Sequence, residues 1–306
     1  MPLPFLRLPD LIKTQVLLDL EPFDFFSFSL ISSKTKSIAA SSNKKIDKLN
    51  WDFQNNEYSL LLRIDDSLSF LKVPIRIVNE NFTILKFNGE TLPMWSEYSH
   101  TWFIGRCNLS EVEKKKLFEK ISDHIVNIFK VKDYSIRGNI FLHKEFVTKH
   151  TKKLKKITMY GDDLRADFPN ILEEFSVDEF EIRGYPRRTE FNGPLKVKVL
   201  ESSSLEWLSD ETLASLKCQK VIIRTSHFRD LGRVVRAWQT GGMKNLEEFR
   251  IEAYLSIPLD LPSTLEGLQL IDENSYRIQR EDGTTAIVAM KMLPVFHNQF
   301  VMTVEK

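Results

Sequence analysis

The stretch from Leu8 to Phe28 carries more apolar surface than so short a segment can hide. Between Leu8 and Leu20 the apolar residues are Leu8, Leu11, Ile12, Val16, Leu17, Leu18 and Leu20. At about 100° per residue they spread over well over half of a helix circumference. Pro9 suits the first helical turn, and Pro22 ends this helix and can open the next. Phe23, Phe25, Phe26 and Phe28 follow at once. A third helix is expected from Ser33 through Ile38 towards Lys45. A unit of about 40 residues cannot bury this much apolar surface within itself. Either the rest of the chain covers it or another protein does.

The rest of the chain mixes strand and helix signals. Tyr58–Ile64, Ile75–Val78 and Phe82–Phe87 are β-rich runs, the last ending at Asn88-Gly89, a hairpin turn signal. Trp95, Tyr98, Trp102 and Phe103 read as core aromatics. Leu109 to Phe129 reads as an amphipathic helix, with Ser110 and Glu113 as a capping box. Lys114-Lys115-Lys116 within it reads as a solvated face.

After residue 150 a short motif recurs: apolar, two variable, apolar, one variable, apolar. It runs Leu154–Met159, Leu172–Val177, Leu246–Ile251 and Leu265–Leu270. Its spacing falls just under the period of leucine-rich repeats, roughly 20–29 residues. Leu195–Val199 and Val221–Ile223 read as degenerate strands between the pairs. Phe228–Trp238 before Gly241-Gly242 reads as a helix with a glycine stop. Tyr276–Ile278 and Thr284–Met290 flank Glu281-Asp282-Gly283 as a hairpin, and Phe300, Met302 and Val304 alternate as a terminal strand.

Composition narrows the functional classes. The 306 residues have a formal net charge of +1, which gives no long-range field for nucleic acid or an anionic membrane. No run approaches the ~18 uninterrupted apolar residues of a membrane span, and no signal peptide is expected. Cys107 and Cys218, the two cysteines, read as reduced thiols of a cytoplasmic or nuclear protein. With 11 glycines there is no GxxxxGK[ST] or GxGxxG loop for a phosphate. The six histidines are scattered, with no HExxH and no Cys/His cluster, so no metal and no cofactor is expected. There is no GxSxG, and a catalytic role is not expected.

The run Leu8-Pro9-Asp10-Leu11-Ile12, then Val16 to Phe26 with its Glu21-Pro22-Phe23-Asp24 turn, then Ser29 to Thr35, closely resembles an F-box. Thr35-Lys36 stand where many F-boxes have a tryptophan. A looser resemblance, from about residue 200 to 290, is to the F-box-associated domain of the large nematode families. It rests on Asp230–Trp238, Gly241–Phe249, Tyr276–Arg280 and Asp282-Gly283-Thr284. The two resemblances imply an α+β chain. A three-helix F-box (1–45) would precede a mixed α/β segment of the associated domain (46–150). A substrate-recognition region of irregular leucine-rich-repeat-like strands (151–306) would follow.

The resemblance also implies a function: a non-catalytic substrate-recognition subunit of a Skp–cullin–F-box ubiquitin ligase, bridging a Skp-family adaptor to a protein target marked for degradation. Leu8, Pro9, Ile12, Leu17, Leu20, Phe25, Phe26 and Leu30 would meet the adaptor, and through it a cullin. Diversified families of this kind imply fast-changing targets, foreign or selfish proteins among them. Two alternatives stand beside this reading. One is an F-box scaffold or inhibitor acting without ubiquitylation. The other is a leucine-rich-repeat binding protein with a helical cap. If the repeat strands form a sheet, alternation turns one set of side chains outward. These are Lys156, Thr158 and Tyr160; Glu174, Ser176 and Asp178; Glu248, Arg250 and Glu252; and Gly267, Gln269 and Ile271. All of them but Gly267 and Ile271 are the expected target-binding residues.

Overall fold

A computed structural model describes residues 5–54, 57–64, 67–73, 83–87, 90–98, 101–104, 109–163, 168–184, 191, 195–225, 229–253, 265–293 and 297–305. Cys107, the Asn88-Gly89 turn and the expected strand at Ile75–Val78 lie outside these residues. The fold is α+β, with helices at the N-terminus and mixed β-structure after them. It divides into two compact units, residues 1–151 and 152–306.

The first unit opens with α1 (Asp10–Asp19), α2 (Pro22–Ser29) and α3 (Ser33–Ser41). Pro22 occupies the first position of α2, where a missing N–H costs nothing. Ser32 caps α3 and forms a capping box with Thr35. Asn43, at φ 56°, turns the chain out of α3, and β1 (Lys45–Gln54) begins directly. No linker separates the helices from the sheet.

β1 was not foreseen, although Leu49, Trp51 and Phe53 alternate as a strand should. It pairs antiparallel with β2 (Glu57–Ile64) and parallel with β7 (Lys130–Gly138). The remaining strands of this unit are β3 (Ser67–Val73), β4 (Thr83–Phe87), β5 (Glu90–Tyr98) and β6 (Thr101–Ile104). Their order across the sheet is β7-β1-β2-β3-β6-β5-β4. At Gly138 a Cβ would stand 2.3 Å from the Phe53 carbonyl oxygen, so the β1–β7 approach requires glycine there.

The helix α4 (Glu111–Ile128) has the expected cap, with Ser110 and Glu113 satisfying each other's neighbouring N–H groups. Leu117, Phe118, Ile121, Ile125 and Ile128 form its buried stripe. It packs against β2, β3 and β7, and also against α2 and α3. Lys114 departs from the expected solvated face: it is buried and paired with Glu111 at 2.7 Å. Its neighbour Lys116 is exposed. The short helix α5 (Lys144–His150) closes the unit, with Phe146 edge-on to Trp51.

In the second unit the strands β8 (Lys153–Tyr160), β9 (Ser176–Arg183), β10 (Val199–Ser202), β11 (Lys220–Thr225) and β12 (Glu248–Ala253) run parallel and neighbour one another in chain order. Between them lie α6 (Phe168–Glu174), α7 (Asp210–Ala214) and α8 (Arg229–Gln239). Ile157, Phe180, Leu200, Val221 and Phe249 stand in one buried row across the sheet. The chain therefore advances roughly 20–28 residues per turn, longer than the motif spacing suggests. The motif misleads at two places. Leu172–Val177 covers the end of α6 and the start of β9, so its first leucine belongs to a helix. Leu265–Leu270 leads into β13 (Gln269–Asp272), an antiparallel strand outside the parallel run.

β13, β14 (Ser275–Gln279), β15 (Thr285–Leu293) and β16 (His297–Val304) form an antiparallel meander, and β16 joins it to β12. Gly283, at φ 89°, makes the expected turn between β14 and β15. Arg280 clamps that turn onto Asp282 at 2.7 Å and lies over the buried ring of Trp238 in α8.

Candidate functional site

Two surfaces emerge, one in each unit. The first is the outer side of α1. Helical spacing puts Leu17 inward, while Leu11, Ile12, Val16 and Leu18 remain exposed. Leu11 is 82% exposed and Ile12 47%, and Ile31, just after α2, is 73% exposed. Such a grouping of bare aliphatic side chains is what a partner's apolar surface can cover.

Of the residues expected to meet an adaptor, Pro9 and Ile12 are exposed, and Leu8, Leu20 and Leu30 are half-buried. Leu17, Phe25 and Phe26 are buried within the chain, which corrects their expected outward placement. The reason is packing. Phe25 meets Phe129 at 4.8 Å between ring centroids, and Phe26 stands edge-on to His124 at 5.6 Å. Phe23 stacks on Trp102 at 3.6 Å with the rings 5° apart. The chain's own α4 and sheet thus absorb the aromatic half of the apolar excess. The aliphatic half stays outside. Leu11, Val16, Leu18 and Ile31 were missed because both halves look alike in composition.

The C-terminus of α1 is held by Lys44, a buried lysine at the end of α3's turn. Its Nζ donates to the carbonyl oxygens of Leu20 at 2.6 Å and Leu17 at 3.4 Å, and also to that of Leu18. A cation at the negative end of a helix satisfies carbonyls that have no intrahelical partner. Burial lowers its pKa, while Glu21 and Asp19 act in the opposite direction.

The second surface is the outward face of β8–β12. Register aligns Thr158 with Glu181 and Glu201, and Arg224 with Glu252. Lys156 contacts Glu181 at 2.9 Å and Glu201 at 3.6 Å. Arg183 holds Glu181 at 2.7 Å, and Thr158 donates to it at 3.0 Å. Arg224 bridges Glu201 and Glu252, and Arg250 bridges Glu248 at 2.6 Å and Glu252 at 3.6 Å. Burial pushes the Glu181 carboxyl up, but the hydrogen bonds from Arg183 and Lys156 outweigh it and bring the group down to about 2.

Among the expected target-binding residues, Lys156, Thr158, Tyr160, Glu248, Arg250 and Glu252 share this face. Four others do not join it. Glu174 ends α6, which corrects its placement on a strand; the helix takes the first half of that motif. Ser176 is exposed at the start of β9, and Asp178 is engaged at the side by Lys198 at 2.9 Å and Lys155 at 3.6 Å. Gln269 is exposed on β13, away from the parallel run. Glu181, Arg183, Glu201 and Arg224 complete the face and were not foreseen. Glu181 lies inside the run Phe180-Glu181-Ile182, where its alternation was the available signal.

Among the described residues no group of three His, Cys, Asp or Glu side chains could hold a metal ion. Burial pushes the Cys218 thiol up to about 12, leaving it protonated and unreactive at neutral pH. Among the described residues no helix is long and apolar enough to cross a membrane.

Residues 5–47 match the F-box domain, the stretch that forms α1–α3 and enters β1. F-box domains in general bind Skp-family adaptors within cullin complexes and belong to non-catalytic substrate-recognition subunits. A Caenorhabditis elegans protein, the Skn-1 dependent zygotic transcript 15 protein, is 23% identical over 331 residues, covering 92% of each chain. No solved structure matches.

Proposed function

We propose that this protein is a substrate-recognition subunit of a Skp–cullin–F-box ubiquitin ligase, working in the cytoplasm or nucleus. It would carry a Skp-family adaptor, and through it a cullin, on residues 5–47 and a protein target on residues 152–306. The carrying observation is the F-box match over helices whose Leu11, Ile12 and Ile31 stay exposed after the neighbouring aromatics are buried. The likeness of residues 200 to 290 to F-box-associated domains supports the second half. The charged face of β8–β12 is the proposed target surface, because fixed charges of both signs select partners by complementarity. The subunit's contribution is proximity: it raises the effective concentration of a target beside the ubiquitin-carrying enzyme.

The test is co-purification. The full chain should bring down an adaptor and a cullin, and proteins that accumulate on the chain under proteasome inhibition should lengthen in half-life when it is removed. Absence of adaptor binding overturns the reading. Adaptor and cullin binding without any target turnover would instead support a scaffold role.

A further inference from the structure

The second unit's sheet ends in a strand with a ladder partner on one side. Among the described residues β13 pairs with β14 and with no other strand. All four of its residues are exposed, Leu270 at 70% and Ile271 at 45%. Ile271 is the extra residue at a register shift between Leu270 and Asp272, so it has no partner on β14.

Natural sheets usually guard such an edge with a lysine, a proline or a cover. The edge strand β4 of the first unit follows this rule, with exposed Lys86 next but one to exposed Ile84. β13 does not. From Leu265 to Tyr276 there is no lysine, arginine or proline. Instead Glu266, Asp272 and Glu273 are exposed around the strand. Hydrogen bonds from the Ser275 side chain and the Asn274 N–H hold the Asp272 carboxyl below its ordinary range, so it stays charged. The base on β14, Arg277, is engaged by Glu305 at 3.3 Å. A register shift between Leu270 and Asp272 bends the strand without adding a guarding side chain.

We propose that β13 is a docking edge for an extended segment of the target, one that alternates aliphatic and basic residues and adds to the sheet as a further strand. The open main chain would supply hydrogen bonds, Leu270 and Ile271 would seat the aliphatic side chains, and Glu266, Asp272 and Glu273 would pair with the basic ones. A second copy of the chain fits less well, because edge-to-edge pairing would bring two sets of these carboxylates together. This inference rests on the receptor reading, since it assigns part of the target's binding.

The probe is a labelled peptide of alternating lysine and valine, titrated into the full chain and read by fluorescence anisotropy. A glutamate–valine peptide and a lysine–valine peptide interrupted by prolines serve as controls. The lysine–valine peptide is expected to bind about tenfold or more tightly than either control. Leu270→Lys with Glu273→Lys should weaken it by about tenfold while leaving adaptor binding unchanged. If that variant melts early, Glu273→Lys alone should still weaken the peptide by about threefold. Equal affinity for all three peptides, or unchanged affinity in the variants, overturns the proposal. So does a dimer, seen by sedimentation, that Leu270→Lys dissolves. Adaptor binding is read separately: its loss in the unmodified chain sinks the receptor reading, whereas its presence without peptide preference sinks the edge alone.

Discussion

Ser29 Oγ lies 2.7 Å from Nε2 of His124, joining the end of α2 to the middle of α4 in a buried setting. The same hydroxyl donates to the carbonyl of Phe26. With its proton spent there, the hydroxyl oxygen accepts from a neutral histidine protonated at Nε2, and Nδ1 has no partner among the described residues. Burial, helped by the charge of Lys36, brings this imidazole down to about 4.

The first prediction follows from that histidine and its companion His143, which burial and Lys115 also bring down to about 4. Both are depressed below the unfolded value near 6.5. Their contribution is therefore complete above that value and is lost as pH falls towards 4, because the unfolded chain takes up the protons. A depression of this size corresponds to roughly 3 kcal/mol for each group at most. Urea melts between pH 7 and pH 4 should show a steep loss that flattens in His124→Gln. An unchanged slope in that variant would count against the buried neutral pair.

Lys44 supplies the second. Lys44→Met keeps the stem but removes the donor to Leu20 and its neighbours, leaving partly buried carbonyls unsatisfied. Removing such a partner costs about 1–3 kcal/mol. Denaturant melts should register that loss, and amide exchange in the last turn of α1 should speed up ahead of α4. Parental stability in Lys44→Met would mean that water replaces the ammonium at no cost.

Position on α1 and α2 separates docking from folding. Leu11→Asp with Ile12→Asp alters exposed side chains and should change stability by no more than about 0.5 kcal/mol. It should weaken adaptor binding by about tenfold or more, as loss of central apolar contacts does. Phe25→Ala opens a hole beside Phe129 and should cost about 3–5 kcal/mol. Calorimetric titration paired with a melt of each variant decides. Tight adaptor binding by the α1 variant would move the docking surface elsewhere.

On the charged face, Glu181→Gln tests whether the network supports the sheet. Its buried carboxylate holds the partly exposed Lys156 and Arg183, and removing such a partner costs about 1–3 kcal/mol. Because its pKa is depressed in the folded state, its stabilisation is present above the unfolded value of about 4.5 and is lost as pH falls through about 2. Acid melts of Glu181→Gln should lack that component. A near-parental melt at pH 7 would show that the face carries its charges loosely.

What the sequence discloses and what it hides divide along one physical line. Signals confined to a few neighbours read correctly: the Ser110–Glu113 capping box, the Gly283 turn, the glycine stop after α8. Signals that depend on a distant element do not. Leu11 and Phe25 are both apolar residues in short helices, and only the position of α4 determines that one is covered and the other bare. The parallel strands are set by returning segments of unequal length, so the leucine motif drifted out of register at Leu172. Trp51 and Phe53 show the opposite case, a clear local alternation in a strand that starts at Lys45, where the helix was expected to end.

The stack of Phe23 on Trp102 also bears on how the N-terminal helices can be moved to another chain. A segment that shares its aromatic rings with the sheet behind it is not an exchangeable plug. Transplanting residues 5–44 onto another chain would bring one half of a set of interlocking shapes without the other. A working chimera would have to carry Trp102, His124 and Phe129 along, so the smallest graftable piece reaches through α4. Drift at either end of this pairing would in turn have to be answered at the other, tying the pace of change in the docking helices to that of the sheet.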